Sequence, residues 1–438
     1  MRARPSRERL VVGKGQLNLV VEGVGDVVDR CYGPALQSLV DEWRGRRKIE
    51  VTFVDMSDYW RNDPGLAGKM QRIIAEVKSW GAAYLDKSDP DDLAKYRMLR
   101  PHVVIVATPD CSHAAVAEEW LGRNHRPTHI LIEKPLEASL DAARRLLGKV
   151  PPYDSLVLAF DHYRARVLPT REQMAVILPF LGGGVSQFTF YFFEDHSGAD
   201  PTYNPRVQRD GPIENEQRTK ALNQGVILDV VPHVIAILAH FCRVETLRVT
   251  TVKAGRYLGV DGDPEKPSEI ERETFAAVEF VCADYAGNVV EGKTYVGKGV
   301  RGVKQLGQEH DYDTKVLDIY GLNNRRVLFD IKKKAKAYLI DENARVQFEF
   351  SLNADPYGVF LSSVVEGSFL EDPPMALHVE VGKRILEIME DMRGPIPAKP
   401  EIPTYPCGIE GVRQSLYLED LLQELPAVYG VCPDNGGC

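Results

Sequence analysis

The sequence predicts two domains of different fold class: an N-terminal α/β domain around a parallel sheet, and a C-terminal α+β domain with an open mixed sheet. Three observations predict this division. The chain has 438 residues, too many for one hydrophobic core. Up to about residue 160, short apolar strands alternate with helical segments, which is typical of a parallel sheet. Beyond residue 185 strands predominate, and few helices separate them.

Composition and charge restrict the function classes. The chain is 44% hydrophobic and 27% charged, as in ordinary globular proteins. A net charge of −9 argues against a nucleic-acid-binding surface, and no apolar run reaches the roughly 18 residues of a membrane span. Residues 1–16 are basic and lack an apolar core, so we expect a disordered lead-in and no secretory signal. We therefore expect a cytoplasmic protein that binds neither nucleic acid nor membrane.

The seven cysteines are scattered along the chain, and most of them lie in apolar segments. This usage is typical of reduced cytosolic thiols, and it predicts neither a disulfide framework nor a metal site. Cys432 and Cys438 share a Gly-rich tail, and the sequence leaves open whether they pair.

The first strand, 17–22, runs into Gly23-Val24-Gly25, and a helix is predicted over 32–43. A strand, a G-x-G turn and a helix together indicate a dinucleotide-binding loop, because glycines let the backbone approach a pyrophosphate at a helix N-terminus. On this interpretation Gly23, Gly25 and Asp26 contact a cofactor. Val28 at the third small position and the charge of Asp26 depart from the pattern, so a plain βα turn is the alternative.

The second strand, 49–55, ends in Asp55. A carboxylate there accepts hydrogen bonds from an adenosine ribose and repels a 2′-phosphate, so we expect NAD, with NADP as the weaker candidate. Ser57 and Arg61 could bind that phosphate if their loop folds back. The alternative is that Asp55 caps a helix or turn.

Two further strands end in polar residues. Strand 101–107 is followed by Thr108-Pro109 and then by His113 in a predicted helix. Strand 129–132 ends in Glu133-Lys134-Pro135. Open α/β sheets bind ligands at this edge, where an ammonium group can hold a reacting oxygen by its charge. The alternative is a solvated lysine at an ordinary strand end.

These residues carry a family resemblance. T-P-x-x-x-H-x-x-x-A followed by strand-E-K-P resembles the Gfo/Idh/MocA family, sugar and polyol dehydrogenases with an N-terminal Rossmann domain. The resemblance spans roughly residues 17–240. It implies that Lys134 lies near substrate and nicotinamide, and that Thr108, Pro109, His113 and Glu133 lie on the cofactor side.

A strand predicted over 156–163 ends in Asp161-His162-Tyr163, and Arg164 and Arg166 follow. The D-H-Y segment resembles the phosphate side of glucose-6-phosphate dehydrogenase, a relative with the same E-K-P but with lysine where this chain has Arg166. Arginine can bind phosphate through two hydrogen bonds. We therefore expect His162, Tyr163, Arg164 and Arg166 to contact the substrate, with solvated surface charges as the alternative.

The second domain opens with an alternating strand, 185–193. A polar stretch over 194–223 follows, and its length favours a functional segment. Asp229 and His233 then share one face of a helix, since they are four residues apart. Pro232 between them predicts that this helix begins near Asp229. D-x-x-x-H resembles the catalytic pair of the family; the alternatives are a helix cap and a core histidine.

The remaining chain predicts an open mixed sheet, with strands over 246–252, 274–282, 289–296, 315–320, 327–331 and 346–350. We expect the lysine-rich run 332–336 to be a solvated edge. Helices are predicted over 375–392 and 408–425. The expected domains are 17–160 and 161–407, with 408–438 returning to the first domain as the family implies. We expect homo-oligomers through the C-terminal sheet.

The resemblance implies hydride transfer between a nicotinamide cofactor and a sugar, sugar-phosphate or polyol hydroxyl. His233 would act as general base, Lys134 would hold the developing alkoxide, and Asp229 would orient His233. Two alternatives stay open: a non-catalytic sensor of the same fold, and redox-assisted elimination or glycoside cleavage with tightly bound NAD.

Overall fold

The structure, a computed structural model, describes residues 15–150, 156–194, 225–257, 275–298, 314–331, 335–369, 374–394 and 404–405. These residues form two compact units. The first contains 15–150, 156–165, 355–369 and 374–386, and the second contains the other described residues. The polar stretch 194–223, the predicted helix 408–425, and Cys432 and Cys438 lie outside the described residues, except Glu194.

The helices alternate with the strands through the first unit. The α-helices are α1 (Gly33–Glu42), α2 (Pro64–Ser79), α3 (Pro90–Met98), α4 (His113–Leu121), α5 (Leu140–Lys149), α6 (His162–Val167), α7 (Arg171–Phe180), α8 (Gly225–Leu238), α9 (Pro356–Glu366) and α10 (Val379–Arg393). The strands are β1 (Leu17–Glu22), β2 (Ile49–Asp55), β3 (Ala83–Asp86), β4 (Val103–Val106), β5 (His129–Glu133), β6 (Leu156–Phe160), β7 (Val185–Glu194), β8 (Cys242–Tyr257), β9 (Phe275–Asp284), β10 (Val289–Lys298), β11 (Thr314–Gly321), β12 (Arg326–Asp330), β13 (Lys336–Ile340), β14 (Val346–Ser351), β15 (Leu377–His378) and β16 (Thr404–Tyr405).

The sheet of the first unit has the order β15-β6-β5-β4-β1-β2-β3. All its neighbours pair in parallel except the short edge strand β15. The chain moves outward from β1 in one direction and then returns to β4 on its other side, so the order reverses between β1 and β4. This arrangement confirms the predicted α/β domain and places a switch point at the ends of these two strands. Strands β4 and β5 are buried along their whole length.

The sheet of the second unit has nine strands in the order β14-β13-β12-β11-β7-β10-β9-β8-β16. It is mixed, because β7 pairs in parallel with β10 and antiparallel with β11. The α+β class is therefore confirmed, and all six strands predicted after residue 240 are present. The expectation of a solvated edge at 332–336 is wrong for Lys336, which opens β13 between β12 and β14. Residues 332–334 lie outside the described chain.

Three local predictions are corrected. His162 and Tyr163 belong to α6, because β6 ends at Phe160 and the Asp161 carboxylate accepts from the backbone N–H of Arg164 at 2.8 Å. Helix α10 begins at Val379 and not at 375, because Leu377 pairs with β6. Helix α8 begins at Gly225, so Pro232 lies in its interior and not in its first turn.

Residues 355–369 and 374–386 pack with the first unit, although their place in the chain suggested the second domain. Helix α9 begins at an Asp355 cap, whose carboxylate accepts from the Gly358 N–H at 2.9 Å. Its Phe360 stacks on Phe160 of β6, with ring centroids 4.0 Å apart, and its Tyr357 packs edge-on against Tyr32. The aromatic core of the first unit is therefore completed by a segment distant in sequence.

His129, at the start of β5, is fully buried beside the ring of Phe369. Neither ring nitrogen has a hydrogen-bond partner in the described part of the chain. Burial therefore disfavours the charged imidazolium and lowers the pKa of His129 from 6.5 to about 4. A depressed histidine pKa costs nothing above the unfolded value of 6.5, and it destabilises the fold increasingly as the pH falls toward 4.

We predict that His129→Leu removes part of the acid sensitivity of this protein. The shift of His129 corresponds to about 3 kcal/mol of unfolding free energy lost between pH 6.5 and 4. Urea unfolding at several pH values between 4 and 7 should show a shallower pH dependence in the variant. The exposed His125, changed to Leu, is the control. Parallel pH profiles for wild type and His129→Leu would contradict the assignment.

Candidate functional site

The carboxyl edge of the first sheet collects ionisable side chains. Parallel strands end at the same edge, so the residues that end or follow the strands lie along one border of the unit. Those residues are Glu22, Asp55, Asp86, Glu133 with Lys134, and Asp161. Several are buried, and each buried one has a defined partner. Within the described residues, no group of three His, Cys, Asp or Glu side chains could hold a metal ion.

The glycine turn after β1 fits the close approach that a dinucleotide requires. Gly23 has φ +91°, and a Cβ built there would lie 2.7 Å from the carbonyl oxygen of Ala107, at the end of β4. Only glycine is compatible with both constraints. Around Gly25, by contrast, an added Cβ would meet nothing within 4 Å, so the tip of the turn faces open space. This combination supports the dinucleotide-binding interpretation of the G-x-G motif.

The predicted helix over 32–43 is confirmed as α1, but helical structure begins earlier than expected. A π-helical turn, Val28–Tyr32, precedes α1. Val28 is fully buried, so the third small position of the motif is filled by a packed apolar side chain. π-Helical turns occur frequently at functional sites.

Two ion pairs connect α2 to the helical segment that follows the glycine turn. Lys69 forms an ion pair with Asp26, and Arg72 binds Asp29 through two hydrogen bonds of 3.0 and 2.6 Å. The donors are three residues apart on α2, and so are the acceptors. The negative charge of Asp26 beside the glycine turn is therefore balanced by a cation that the sequence pattern did not reveal.

Glu22 ends β1 directly before the turn and is almost completely buried. Its carboxylate accepts from Lys87 Nζ at 3.0 Å and from Trp120 Nε1 at 2.8 Å. Because both carboxylate oxygens have charged or polar donors, the buried pair is satisfied. Breaking such a pair typically costs about 3–5 kcal/mol, so Lys87 anchors the base of the glycine turn.

The end of β2 holds a second cluster. Burial raises the pKa of Asp55 to about 6, against the opposing effect of the hydrogen bond from its neighbour's backbone N–H, Met56 N to Asp55 Oδ1 at 2.8 Å. The loop that carries Arg61 forms a tight turn: Arg61 N donates to the Ser57 carbonyl at 2.8 Å, and its guanidinium donates to Ser57 Oγ. Arg61 also pairs with Asp58 at 3.0 Å and lies 3.9 Å from Asp86. Its positive charge is therefore compensated within the loop.

His113 connects the turns after β4 and β5. It is buried, and its ring nitrogens lie 2.8 Å from the Thr108 carbonyl oxygen and 2.9 Å from the Pro135 carbonyl oxygen. Both partners only accept, so the two contacts are hydrogen bonds together only when both nitrogens carry protons. Thr108 Oγ1 accepts from Ser112 Oγ at 3.0 Å. The T-P-x-x-x-H residues therefore fix the backbone beside Lys134.

Glu133 points into the unit, and Lys134 is half-buried. Tyr32 donates to the Glu133 carboxylate at 2.7 Å, which links β5 to the helix after the glycine turn. Burial raises the pKa of Glu133 to about 7, although the Tyr32 hydrogen bond and Lys134 both oppose the rise. The Lys134–Pro135 peptide bond is cis. Tyr32 was not singled out from the sequence, since a tyrosine in an amphipathic helix carries no distinguishing signal.

The predicted anion-binding arginines have backbone partners. Arg164 is buried, and its guanidinium donates to the Pro374 carbonyl at 2.7 Å. Arg166 donates to the carbonyls of Ile331 and Ala354, each at 3.5 Å. His162 stacks on Tyr163 and on Tyr357 of α9, with centroids 4.1 and 5.7 Å apart. These contacts give the segment a structural role, and its contact with a substrate stays a prediction.

In the second unit, Asp229 and His233 lie one turn apart on α8. His233 is buried, and its ring lies parallel to Phe192 of β7, with centroids 5.7 Å apart. Lys315 of β11 is also buried, with Nζ 4.8 Å from the same Phe192 ring. Lys315 is the register partner of Phe192, so the sheet brings it to the face that α8 covers. A single lysine in an apolar strand gave no sequence signal of this neighbourhood.

The fold and these residues define a class: a dinucleotide-binding Rossmann unit combined with an α+β unit. The comparisons agree. Residues 66–156 match the Gfo/Idh/MocA model, described as an oxidoreductase family with an NAD-binding Rossmann fold. The matched segment contains the T-P-x-x-x-H and E-K-P motifs that carry the predicted resemblance to this family. No curated protein sequence matches the chain.

Three solved structures share the fold at low sequence identity. Glucose-6-phosphate 1-dehydrogenase from Mycobacterium avium has a TM-score of 0.60 and 16% identity, over 92% of this chain and 96% of that one. A 3-ketoreductase from Actinomadura kijaniata, in complex with NADP and TDP-benzene, has a TM-score of 0.56 and 15% identity, over 87% and 98%. UDP-N-acetylglucosamine 3-dehydrogenase from Acidithiobacillus ferrooxidans has a TM-score of 0.52 and 15% identity, over 86% and 97%. None of the described helices is long and apolar enough to cross a membrane.

We predict that Glu133→Gln stabilises the protein at neutral and alkaline pH. A carboxyl whose pKa rises from 4.5 to about 7 on folding costs nothing below pH 4.5 and about 3 kcal/mol once the pH exceeds 7. Glutamine stays neutral and still offers an oxygen to Tyr32. Denaturant unfolding at pH 4, 6 and 8 should show a gain that grows with pH. A gain that is equal at all three values would contradict the burial of an ionisable Glu133.

Proposed function

We propose that this protein transfers a hydride between a nicotinamide dinucleotide and a hydroxyl-bearing carbon of a sugar, sugar phosphate or polyol. The observation that carries the proposal is the carboxyl edge of the first sheet, where the glycine turn after β1 and Lys134 after β5 belong to one unit. Two of the neighbouring structures, a glucose-6-phosphate dehydrogenase and a UDP-N-acetylglucosamine dehydrogenase, are named for sugar substrates, which supports a carbohydrate substrate. A small-molecule substrate of this kind needs no nucleic-acid or membrane partner.

The cofactor, when bound, supplies the hydride acceptor. Gly23 and Gly25 would pass the backbone close to its pyrophosphate, and Asp55 would face its ribose. Thr108, Pro109 and His113 would shape the cofactor side, with Glu133 behind them. Each of these positions is a proposal from the family motif, set on the geometry of the first unit.

The residues of the substrate side are proposed from the family motifs. Lys134 would hold the oxygen that becomes an alkoxide, because a fixed ammonium stabilises developing negative charge. His233 would accept the hydroxyl proton, and Asp229, four residues earlier, would orient it or bind a neighbouring hydroxyl. His162, Tyr163, Arg164 and Arg166 stay candidates for substrate contact. Val28 and Asp26 are the support for a non-catalytic sensor, and the pairing of Asp26 with Lys69 weakens the part of that support that rests on charge.

We also propose NAD as the preferred cofactor. The Asp55 carboxylate would repel a 2′-phosphate, and the charge of Arg61 is compensated by Asp58 and Asp86. A cytoplasmic homo-oligomer assembled through the sheet of the second unit completes the proposal. The scattered cysteines and the absence of paired ones among the four described thiols fit a reducing compartment.

Lys134→Met and His233→Asn test the proposed chemistry. Absorbance at 340 nm, followed with NAD and a panel of sugars, sugar phosphates and polyols, should identify a substrate for the wild type. We expect Lys134→Met to lower kcat by roughly 10²-fold or more while NADH affinity stays within about twofold.

His233→Asn should lower kcat and remove the acidic limb of the pH profile. Wild-type turnover in either variant would exclude that residue from the reaction.

The preference for NAD should weaken as the pH falls. Asp55, with a pKa of about 6, is charged at pH 8 and largely protonated at pH 5, so its repulsion of a 2′-phosphate is lost in acid. The ratio of the Kd values for NADPH and NADH should therefore fall between pH 8 and 5. The 2′-phosphate itself takes up a proton near pH 6, so Asp55→Asn is the control and should show a smaller change. A ratio below one in the wild type at pH 8 would contradict the preference.

A further inference from the structure

We propose that Lys69, supplied by α2, is a phosphate ligand of the dinucleotide site and leaves Asp26 for a phosphate oxygen when the cofactor binds. This inference rests on the proposed function, since it needs a dinucleotide at the glycine turn. It adds a residue that lies 44 positions after Gly25 and belongs to no part of the G-x-G motif. It also explains how a turn followed by an aspartate can accept an anion.

The charge at the turn is the first part of the argument. Gly25 borders open space, and Asp26 comes directly after it, in the first turn of the helical segment. A lone carboxylate there would repel a pyrophosphate, which carries two negative charges of its own. Asp26 and Lys69 together are neutral, so the pair removes that repulsion and holds an ammonium group on the residue that follows Gly25.

The second part of the argument is that packing holds the backbone of α2 in place. Met70, Ile73 and Val77 of α2 are buried in the core of the first unit, which fixes the helix backbone. Arg72 holds Asp29 through two hydrogen bonds and keeps α2 in register with the glycine-turn helix. The Lys69 side chain, by contrast, is 37% exposed. A long, flexible ammonium side chain on a fixed backbone can exchange one oxygen partner for another without moving the helix.

The third part is the difference between the two ion pairs. Asp26 lies next to the tip of the turn, whereas Asp29 lies about one helical turn further on, away from Gly25. Each ion pair joins a cation of α2 to an aspartate of the helical segment after the turn, so a purely structural role would make the two pairs equivalent. If Lys69 is a phosphate ligand, only the pair beside Gly25 affects phosphate binding. Arg72 therefore provides a matched control within the same helix.

The test measures binding, so it needs no substrate. Fluorescence titration gives the Kd for NADH, and calorimetry gives the Kd values for ADP-ribose and for adenosine, which lacks phosphate. We expect Lys69→Met to raise the Kd for NADH and ADP-ribose about tenfold. Adenosine should bind the variant as it binds the wild type, and Lys69→Arg should recover most of the loss. Circular dichroism and thermal unfolding establish that each variant folds.

Two further variants distinguish a Lys69 that binds the phosphate from a Lys69 that only neutralises Asp26. Asp26→Asn should bind NADH at least as tightly as the wild type, and adding Lys69→Met to it should again cost about tenfold. If the double variant instead matches Asp26→Asn, Lys69 serves only to neutralise Asp26 and the proposal is overturned. The proposal is also overturned if Arg72→Met weakens the binding of NADH as much as Lys69→Met does. The same holds if Lys69→Met weakens the binding of adenosine as much as that of NADH. Failure of the wild type to bind NADH would overturn the proposed function itself.

Discussion

The rest of the first unit depends on a single close approach, that of Gly23 to the carbonyl of Ala107. It occurs where the order of the parallel strands reverses, between β1 and β4, and it leaves no room for a side chain. On one side of this contact the chain continues into the open tip at Gly25. On the other side it continues into Thr108, whose carbonyl is held by His113. The crowding at Gly23 thus sets the distance between the two turns that border the proposed cofactor site.

The charges at this edge are organised by burial. A carboxylate taken out of water must acquire donors or lose its charge, and the unit uses both solutions. Glu22 acquires Lys87 and Trp120 as donors. Glu133 acquires only a tyrosine and a backbone donor in addition to nearby Lys134, and burial raises its pKa to about 7. The same edge therefore contains an acid held by an ammonium and an indole beneath the glycine turn, and an acid with a raised pKa beside Lys134.

In the second unit, apolar and aromatic packing surrounds His233. Its helix is apolar along nearly all of its length, so the imidazole is held among aromatic and aliphatic side chains, with Phe192 parallel to it. Lys315 reaches the same phenyl ring from a neighbouring strand. Phe192 therefore packs against both polar side chains, and its π-face attracts the cation. Proline inside α8 cannot donate to the preceding turn, and the helix nevertheless continues to Leu238.

Local patterns in the sequence determined the strand-and-helix alternation, the glycine turn, the E-K-P segment and the D-x-x-x-H pair, since each depends on residues within a few positions of one another. Periodicity also placed the six main strands of the second sheet. Periodicity did not predict β13, because the strand begins in a lysine-rich run. It also failed at His162, since the preceding strand was predicted to continue to residue 163 but ends at Phe160.

Only the tertiary structure decided which side chains meet. Lys69 reaches Asp26 across 43 positions, Tyr32 reaches Glu133 across 101, and α9 returns from residue 356 to cover Phe160. Such pairs leave no periodic trace, because either partner alone is an ordinary helix or strand residue. The pKa values of Asp55, His129 and Glu133 follow from burial in the folded core, which no composition or spacing encodes. The sequence by itself determined the fold class and the family resemblance, and only the packing decided which charged groups are buried and paired.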